Sequence, residues 1–106
     1  MDHFIYVIAS SADGPVKLGI SAKPERRINE LQTGHANRLH IYHIEPVAGE
    51  KARLFERLLH RDIGFRRTVG EWFDISVADA VAHVQFTIIQ YDGVDDLAGK
   101  IQRRRI

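Results

Sequence analysis

The 106-residue sequence predicts an α+β fold: a small, mostly antiparallel sheet of three core strands and a short edge segment, flanked by about three helices. Three observations carry that expectation. Two β-patterned runs at the start of the chain are separated by a turn signal, Asp13-Gly14-Pro15. Apolar residues recur at helical spacing in three later segments. The pieces follow one another as β-β-α-β-α-β-α, with no internal repeat and no linker in the first 91 residues, which predicts one domain over residues 1–106.

The first run, His3 to Ser10, is apolar at successive positions, as befits a strand buried on both faces. The second, Val16 to Ile20, alternates: Val16, Leu18 and Ile20 share one face, Lys17 and Gly19 the other. Ser21 is placed to cap the first helix and Pro24 suits its first turn; Ile28 and Leu31 give it an apolar stripe, and Gly34 ends it. A third strand is expected from Arg38 to Glu45, setting Leu39, Ile41 and His43 against His40, Tyr42 and Ile44. From about Gly49 to Ile63, the residues Ala52, Phe55, Leu58, Leu59 and Ile63 form a helical core stripe. Glu56 lies at the edge of that stripe, with His60 one turn further on. A basic loop then leads into the short apolar segment Glu71 to Ile75, of which Trp72 and Phe73 read as core. Ser76 and Asp79 open a last helix, about 76–91, with Val77, Val81, Val84, Ile88 and Tyr91 on its buried side.

A formal net charge of +1 conceals an uneven distribution. From Pro15 to Gly70 there are eleven Lys and Arg against six Asp and Glu; from Glu71 to Gly99 there are six acids and no Lys or Arg. A basic middle invites a polyanion, and the acidic stretch could pack beside it or shield it. The tail over 100–106 is basic again and reads as a solvated end. No apolar run approaches the length of a membrane helix, which predicts no membrane partner. The chain has no cysteine, and its first residues lack the pattern of a signal peptide, so a cytoplasmic location is expected.

The stretch Val16 to Arg27 poses the functional question. It sets a lysine on a strand and an arginine pair, Arg26-Arg27, in the first turns of a helix, where the dipole favours acids. With Tyr6-Val7-Ile8 before it, and Leu31-Gln32-Thr33-Gly34, Glu56, Leu59-His60, Arg67 and Gly70-Glu71-Trp72-Phe73 after it, the ordered set resembles the GIY-YIG nuclease superfamily. Within that superfamily it is most similar to the phage-type DNA-binding subgroup. The resemblance covers roughly residues 4–75. Phe4 stands where the first motif has glycine, and Lys17 where the second usually has tyrosine, although lysine there is normal for the subgroup.

The resemblance implies cleavage of DNA phosphodiester bonds with a divalent cation, one Mg2+ or Mn2+ ion. By matching position, Tyr6, Lys17 and Arg27 would be catalytic, Glu56 would bind the metal, and Gly19 and Glu71 would support the site, with His60 accessory. Lys23, Arg26, Arg66 and Arg67 are the expected nucleic-acid contacts, on duplex or branched DNA and mainly to its backbone.

The chemistry of the residues agrees with those roles. Arg27 can offer a planar fork to phosphate, and Glu56 suits one hard cation that keeps most of its waters. Tyr6 or Lys17 could take a proton only if its pKa fell from about 10, which a neighbouring cation or burial can bring about. Each has a plainer reading: Tyr6 as a core tyrosine, Lys17 as a strand-edge lysine, Arg27 paired with Glu30, Glu56 paired with Arg53 or His60. His60 reads equally as a base acting through a neighbouring group, as a leaving-group acid or as a helix-edge filler. Two other functions compete with a nuclease: a DNA-binding module without turnover, and a protein-interaction domain working through its acidic helix. With no separate recognition domain, strong specificity would need a protein partner, a homodimer or the loops.

Overall fold

The computed structural model describes residues 2–68, 70 and 72–92. Four strands, β1 (Asp2–Ala9), β2 (Val16–Ser21), β3 (His40–Ala48) and β4 (Trp72–Phe73), form one antiparallel sheet in the order β3-β1-β2-β4. Three helices, α1 (Pro24–Thr33), α2 (Ala52–Asp62) and α3 (Val77–Thr87), pack on it. The expected α+β architecture and element order are therefore observed. The hydrophobic β1 holds the interior of the sheet, buried at every position from Ile5 to Ala9.

Alternation divides the sheet's side chains between two layers. Ile5, Val7 and Ala9 of β1, Val16 and Leu18 of β2, and Phe73 of β4 pack under α2 and α3, against Phe55, Leu59, Ala80 and Val84. Tyr6 and Ile8 face the other way, where Leu39, Ile28, Leu31, Ile41 and Trp72 complete a smaller core beneath α1. The α2 stripe follows its helical spacing, with Ala52, Phe55, Leu58, Leu59 and Ile63 all buried. Its first turn is a 3-10 segment, Gly49–Lys51. Ser76 caps α3 as anticipated, its Oγ accepting the Asp79 N–H at 3.1 Å. The helix passes into a π-helical turn, Ile88–Asp92, and buries Ala80 and Thr87 as well as Val77 and Val84.

Three local expectations are corrected. Ser21 does not cap α1: Lys23 holds the N-cap position without a side-chain cap, and the Ser21 Oγ accepts the Lys23 N–H at 3.0 Å inside the preceding turn. The third strand runs from His40 to Ala48 rather than from Arg38 to Glu45. Pro46 is tolerated in it because β3 is an edge strand, with one side of its ladder unpaired. Its simple alternation is also broken. Val7 pairs with His43 and Ile8 with Ile41, so Tyr42 is the extra residue of a β-bulge. The bulge reverses parity: Ile41 faces the α1 layer while His43 faces the other, although they are two residues apart.

The Ser11–Gly14 turn explains a required glycine. Gly14 has φ +83°, and a Cβ there would strike the Ile75 carbonyl. The neighbouring Ala12 carbonyl accepts the Val77 N–H at 2.9 Å, which ties this turn to the start of α3.

Candidate functional site

On the α1 face, the register sets Tyr6 opposite Gly19 and Ile8 opposite Lys17. Tyr6 is 1% exposed, and its ring lies so close to Gly19 that a Cβ there would come within 2.5 Å of Oη and 2.8 Å of Cζ. Gly19 is therefore required by the phenol that crosses it, since any larger side chain would occupy the volume of the Tyr6 hydroxyl.

Arg27 reaches that hydroxyl from α1. The hydrogen bond with Tyr6 is the main cause raising the Arg27 pKa above its ordinary value; burial opposes it, and the Glu30 carboxylate adds to it. Nη1 of Arg27 also lies 3.3 Å from Glu30 Oε1, and Nε of Arg26 lies 3.7 Å from Glu30 Oε2. The plain pairing of Arg27 with Glu30 is thus present together with the Tyr6 contact. These exposed pairs hold the guanidinium in place more than they stabilise the fold. A hollow of about 230 Å³, lined by Ser21, Ala22, Lys23, Arg26, Arg27 and Glu30, opens beside them. Three cations around one small concavity attract an anion of phosphate size.

Lys17 is 7% exposed, with its Nζ 5.9 Å from the centroid of the Trp72 ring, which a backbone pair with β4 brings alongside. The other face of the expectation is the pair on α2. That helix packs on the opposite layer, so the sheet lies between Tyr6–Arg27 and Glu56. Glu56 lines a second hollow of about 230 Å³, with His3, Ile20, Gly49, Ala52 and Arg53. Its carboxylate has no hydrogen bond or ion pair among the described residues, so neither Arg53 nor His60 takes it. Consecutive residues at the end of β2 line the two hollows, Ile20 the one that holds Glu56 and Ser21 the one that holds Arg27.

His60 has a defined partner. Nε2 donates to the Leu18 carbonyl at 2.7 Å, and the ring lies 5.2 Å from that of Phe73. β4 pairs only with Val16 and Lys17, and His60 takes the next main-chain acceptor along that edge of β2. This fixes the proton on Nε2 and leaves Nδ1 as the other nitrogen. His83 does similar work, with Nε2 3.0 Å from the Leu59 carbonyl in the last turn of α2.

The expected cationic contacts fall into two groups. Lys23, Arg26 and Arg27 gather at the head of α1, whereas Arg66 and Arg67 lie in the loop before β4. Arg67 pairs with Phe73 through an isolated bridge, its guanidinium 5.5 Å from the ring. The length of β2, roughly 17 Å, separates them. Glu71 and the basic tail 100–106 lie outside the described residues.

Sequence reasoning did not foresee the work of Gln32. Its Oε1 accepts the Leu39 N–H at 2.8 Å and its Nε2 donates to the Asn37 carbonyl at 2.9 Å. That side chain closes the loop between α1 and β3, so the Gln-Thr-Gly motif is a loop brace. His3, on the Glu56 hollow, was also missed; only the pairing of β1 beside the end of β2 brings it there.

Among the described residues, no three His, Cys, Asp or Glu side chains form a metal cluster, and no helix is long and apolar enough to cross a membrane. The carboxylate of Glu56, free of partners in a water-accessible hollow, fits one hard cation that supplies its remaining ligands as water. Together these features define a small α+β domain with a basic hollow and a carboxylate hollow on either side of one strand end. The chain matches the model of the T5orf172 domain over residues 3–88 and belongs to that family. No curated protein and no solved structure gives a significant match.

Proposed function

We propose that the chain is a metal-dependent DNA endonuclease of GIY-YIG type, acting in the cytoplasm on the phosphodiester backbone of duplex or branched DNA. The observation that carries this reading is the Arg27–Tyr6 hydrogen bond over Gly19, at the rim of a hollow lined by Lys23 and Arg26. Arg27 holds two phosphoryl oxygens and stabilises the negative charge that grows on them. The incoming water loses a proton to Tyr6 or Lys17, whichever is in its deprotonated form, as its oxygen joins phosphorus; the bond to the leaving oxygen breaks, and that oxygen takes a proton from solvent. Glu56 would hold one Mg2+ or Mn2+ ion, which when bound would supply positive charge to offset that of the phosphodiester backbone. A strand of DNA passing the end of β2 meets both hollows. A protein partner or a second copy supplies any strong sequence preference.

The test is plasmid cleavage with Mg2+, Mn2+ or chelator, run beside Glu56→Gln. The substitution should abolish metal-dependent cleavage with little change in melting temperature, because the carboxylate has no partner to lose. A Glu56→Gln protein that cuts at the normal rate removes Glu56 from the site. A second reading, a DNA-binding module without turnover, is favoured by the placement of Glu56 on the layer opposite Tyr6 and Arg27. Salt-dependent DNA binding without cleavage in any metal would establish it.

A further inference from the structure

A third hollow, beside the Arg27 site, is walled by residues to which the resemblance gives no role. It measures about 200 Å³ and is lined by Phe4, Ala22, Lys23, Pro24, Glu25 and Ile44. Phe4 stands where the first motif has glycine, two residues before Tyr6 on β1. Their side chains therefore share the α1 face, roughly 7 Å apart. Ile44 pairs with Tyr6 across the sheet and lies on that face as well. Yet neither Phe4 nor Ile44 belongs to either core of the domain. Phe4 is half-buried and Ile44 is 37% exposed, so the fold leaves an aromatic ring and a branched side chain lining an open concavity.

Charge and position say what fills it. Ala22 and Lys23 are walls of this hollow and of the basic one, so the two adjoin. The basic hollow sets Lys23, Arg26 and Arg27 against Glu30, whereas this one sets Lys23 against Glu25 alone. A phosphate is drawn to the first; an uncharged group with apolar faces suits the second. In a nucleotide those two groups are one sugar apart. A base inside a duplex is stacked between its neighbours and has to leave the helix to reach an aromatic side chain, a step that an unpaired base does not need.

We propose that Phe4, Pro24 and Ile44 seat one unpaired nucleobase beside the phosphate that Arg27 holds. DNA with a single-stranded branch or flap, rather than continuous duplex, is then the substrate class of this site. The proposal rests on the nuclease reading for the phosphate at Arg27, and base binding is measured apart from cleavage.

The experiment is fluorescence anisotropy of labelled DNA with the full chain, at low salt and with chelator so that nothing is cut. The ligands are a blunt duplex, the same duplex with a single-stranded flap, and that flap with an abasic residue at each position in turn. An abasic residue keeps the phosphate and removes only the base, so it separates stacking from backbone attraction. In the parent, one abasic position near the junction should weaken binding by about tenfold. Phe4→Ala should bind the intact flap about tenfold more weakly and be indifferent to that abasic position, which a merely structural role of Phe4 would not produce. Phe4→Tyr keeps an aromatic face and should keep the dependence. Phe86→Ala, which removes an exposed ring from α3 on the opposite layer, should bind every ligand as the parent does. With no substitution at all, 5-iodouracil at the same position should photocrosslink to Phe4. Parent affinity that ignores every abasic position, a Phe4→Ala protein that retains the dependence, or a crosslink elsewhere each overturn the proposal, while cleavage of blunt duplex would leave the nuclease reading standing. A base held on Phe4 by a protein that cuts no DNA in any metal removes the nuclease reading and keeps the site. No binding to any of these DNAs overturns both.

Discussion

Gly19→Ala is the most demanding test of the geometry around Tyr6. Within a strand, alanine normally stabilises by about 0.5–1 kcal/mol relative to glycine, because it restricts the unfolded chain more. Here the added methyl would sit 2.5 Å from Tyr6 Oη, 2.8 Å from Cζ and 3.3 Å from Cε1. Oη is the far end of its side chain, yet the ring is 1% exposed and enclosed in the core beneath α1, so it cannot swing into solvent at low cost. Overpacking of that kind costs about 1–3 kcal/mol, which exceeds the propensity gain. The hydrogen bond to Arg27 adds little to the sum, because the arginine side chain is 37% exposed and water can replace the phenol. A net loss of about 1–2 kcal/mol corresponds to a fall of about 4–16 °C in melting temperature for a domain of this size. Thermal denaturation of four proteins is the assay: parent, Gly19→Ala, Tyr6→Phe and the double variant. Removing Oη relieves the 2.5 Å approach but not the one at Cζ, so the double variant should recover part of the loss. Gly34→Ala is the control, since nothing lies within 4 Å of its Cβ position. A Gly19→Ala protein that melts at or above the parent temperature would refute the reasoning.

Arg27→Lys keeps the charge and loses the fork; it should bind DNA almost normally and cut about tenfold or more slowly, whereas full cleavage by Arg27→Ala would end its catalytic assignment. For pH, the sign follows from the raised Arg27 pKa: its stabilising effect is complete below the ordinary arginine value and is lost only as pH rises through the still higher folded value. Denaturation of Arg27→Gln and the parent at pH 6 and pH 9 should therefore give the same difference in stability at both, and a difference that grows or shrinks between them contradicts it. His60→Phe keeps the ring against Phe73 but strips the buried Leu18 carbonyl of its donor, for a loss of about 1–3 kcal/mol in chemical denaturation. His60→Gln should restore part of that stability; if both variants melt normally and neither cuts DNA, the imidazole acts in the chemistry rather than on the strand edge. DNA affinity measured between about 50 and 200 mM salt should fall steeply and depend little on sequence, and a flat profile would exclude a phosphate-dominated contact.

The sequence by itself determined the order and type of the elements, because hydrophobic periodicity is a local signal and this chain writes it clearly. The α2 stripe from Ala52 to Ile63 and the Ser76 cap of α3 were legible from spacing alone. So was the alternation of β2, which sets Lys17 and Gly19 on the face away from Val16 and Leu18. Tertiary structure decided what periodicity cannot carry. The bulge at Tyr42 depends on the pairing between β1 and β3, and it sends Ile41 and His43 to opposite layers. Gly19 reads as a strand glycine until register lays the Tyr6 ring across it. Gln32 is a helix residue by pattern, and a loop brace only because the chain returns past it at Asn37 and Leu39. Glu56 and His60, one turn apart on a helix edge, look alike in sequence. The free edge of β2 supplies a carbonyl to His60 and none of the described residues pairs with Glu56, so one histidine is held by the fold and one carboxylate is left open to solvent. Spacing along a chain fixes which side chains share a face of their own element; which faces meet is fixed only by how the elements pack.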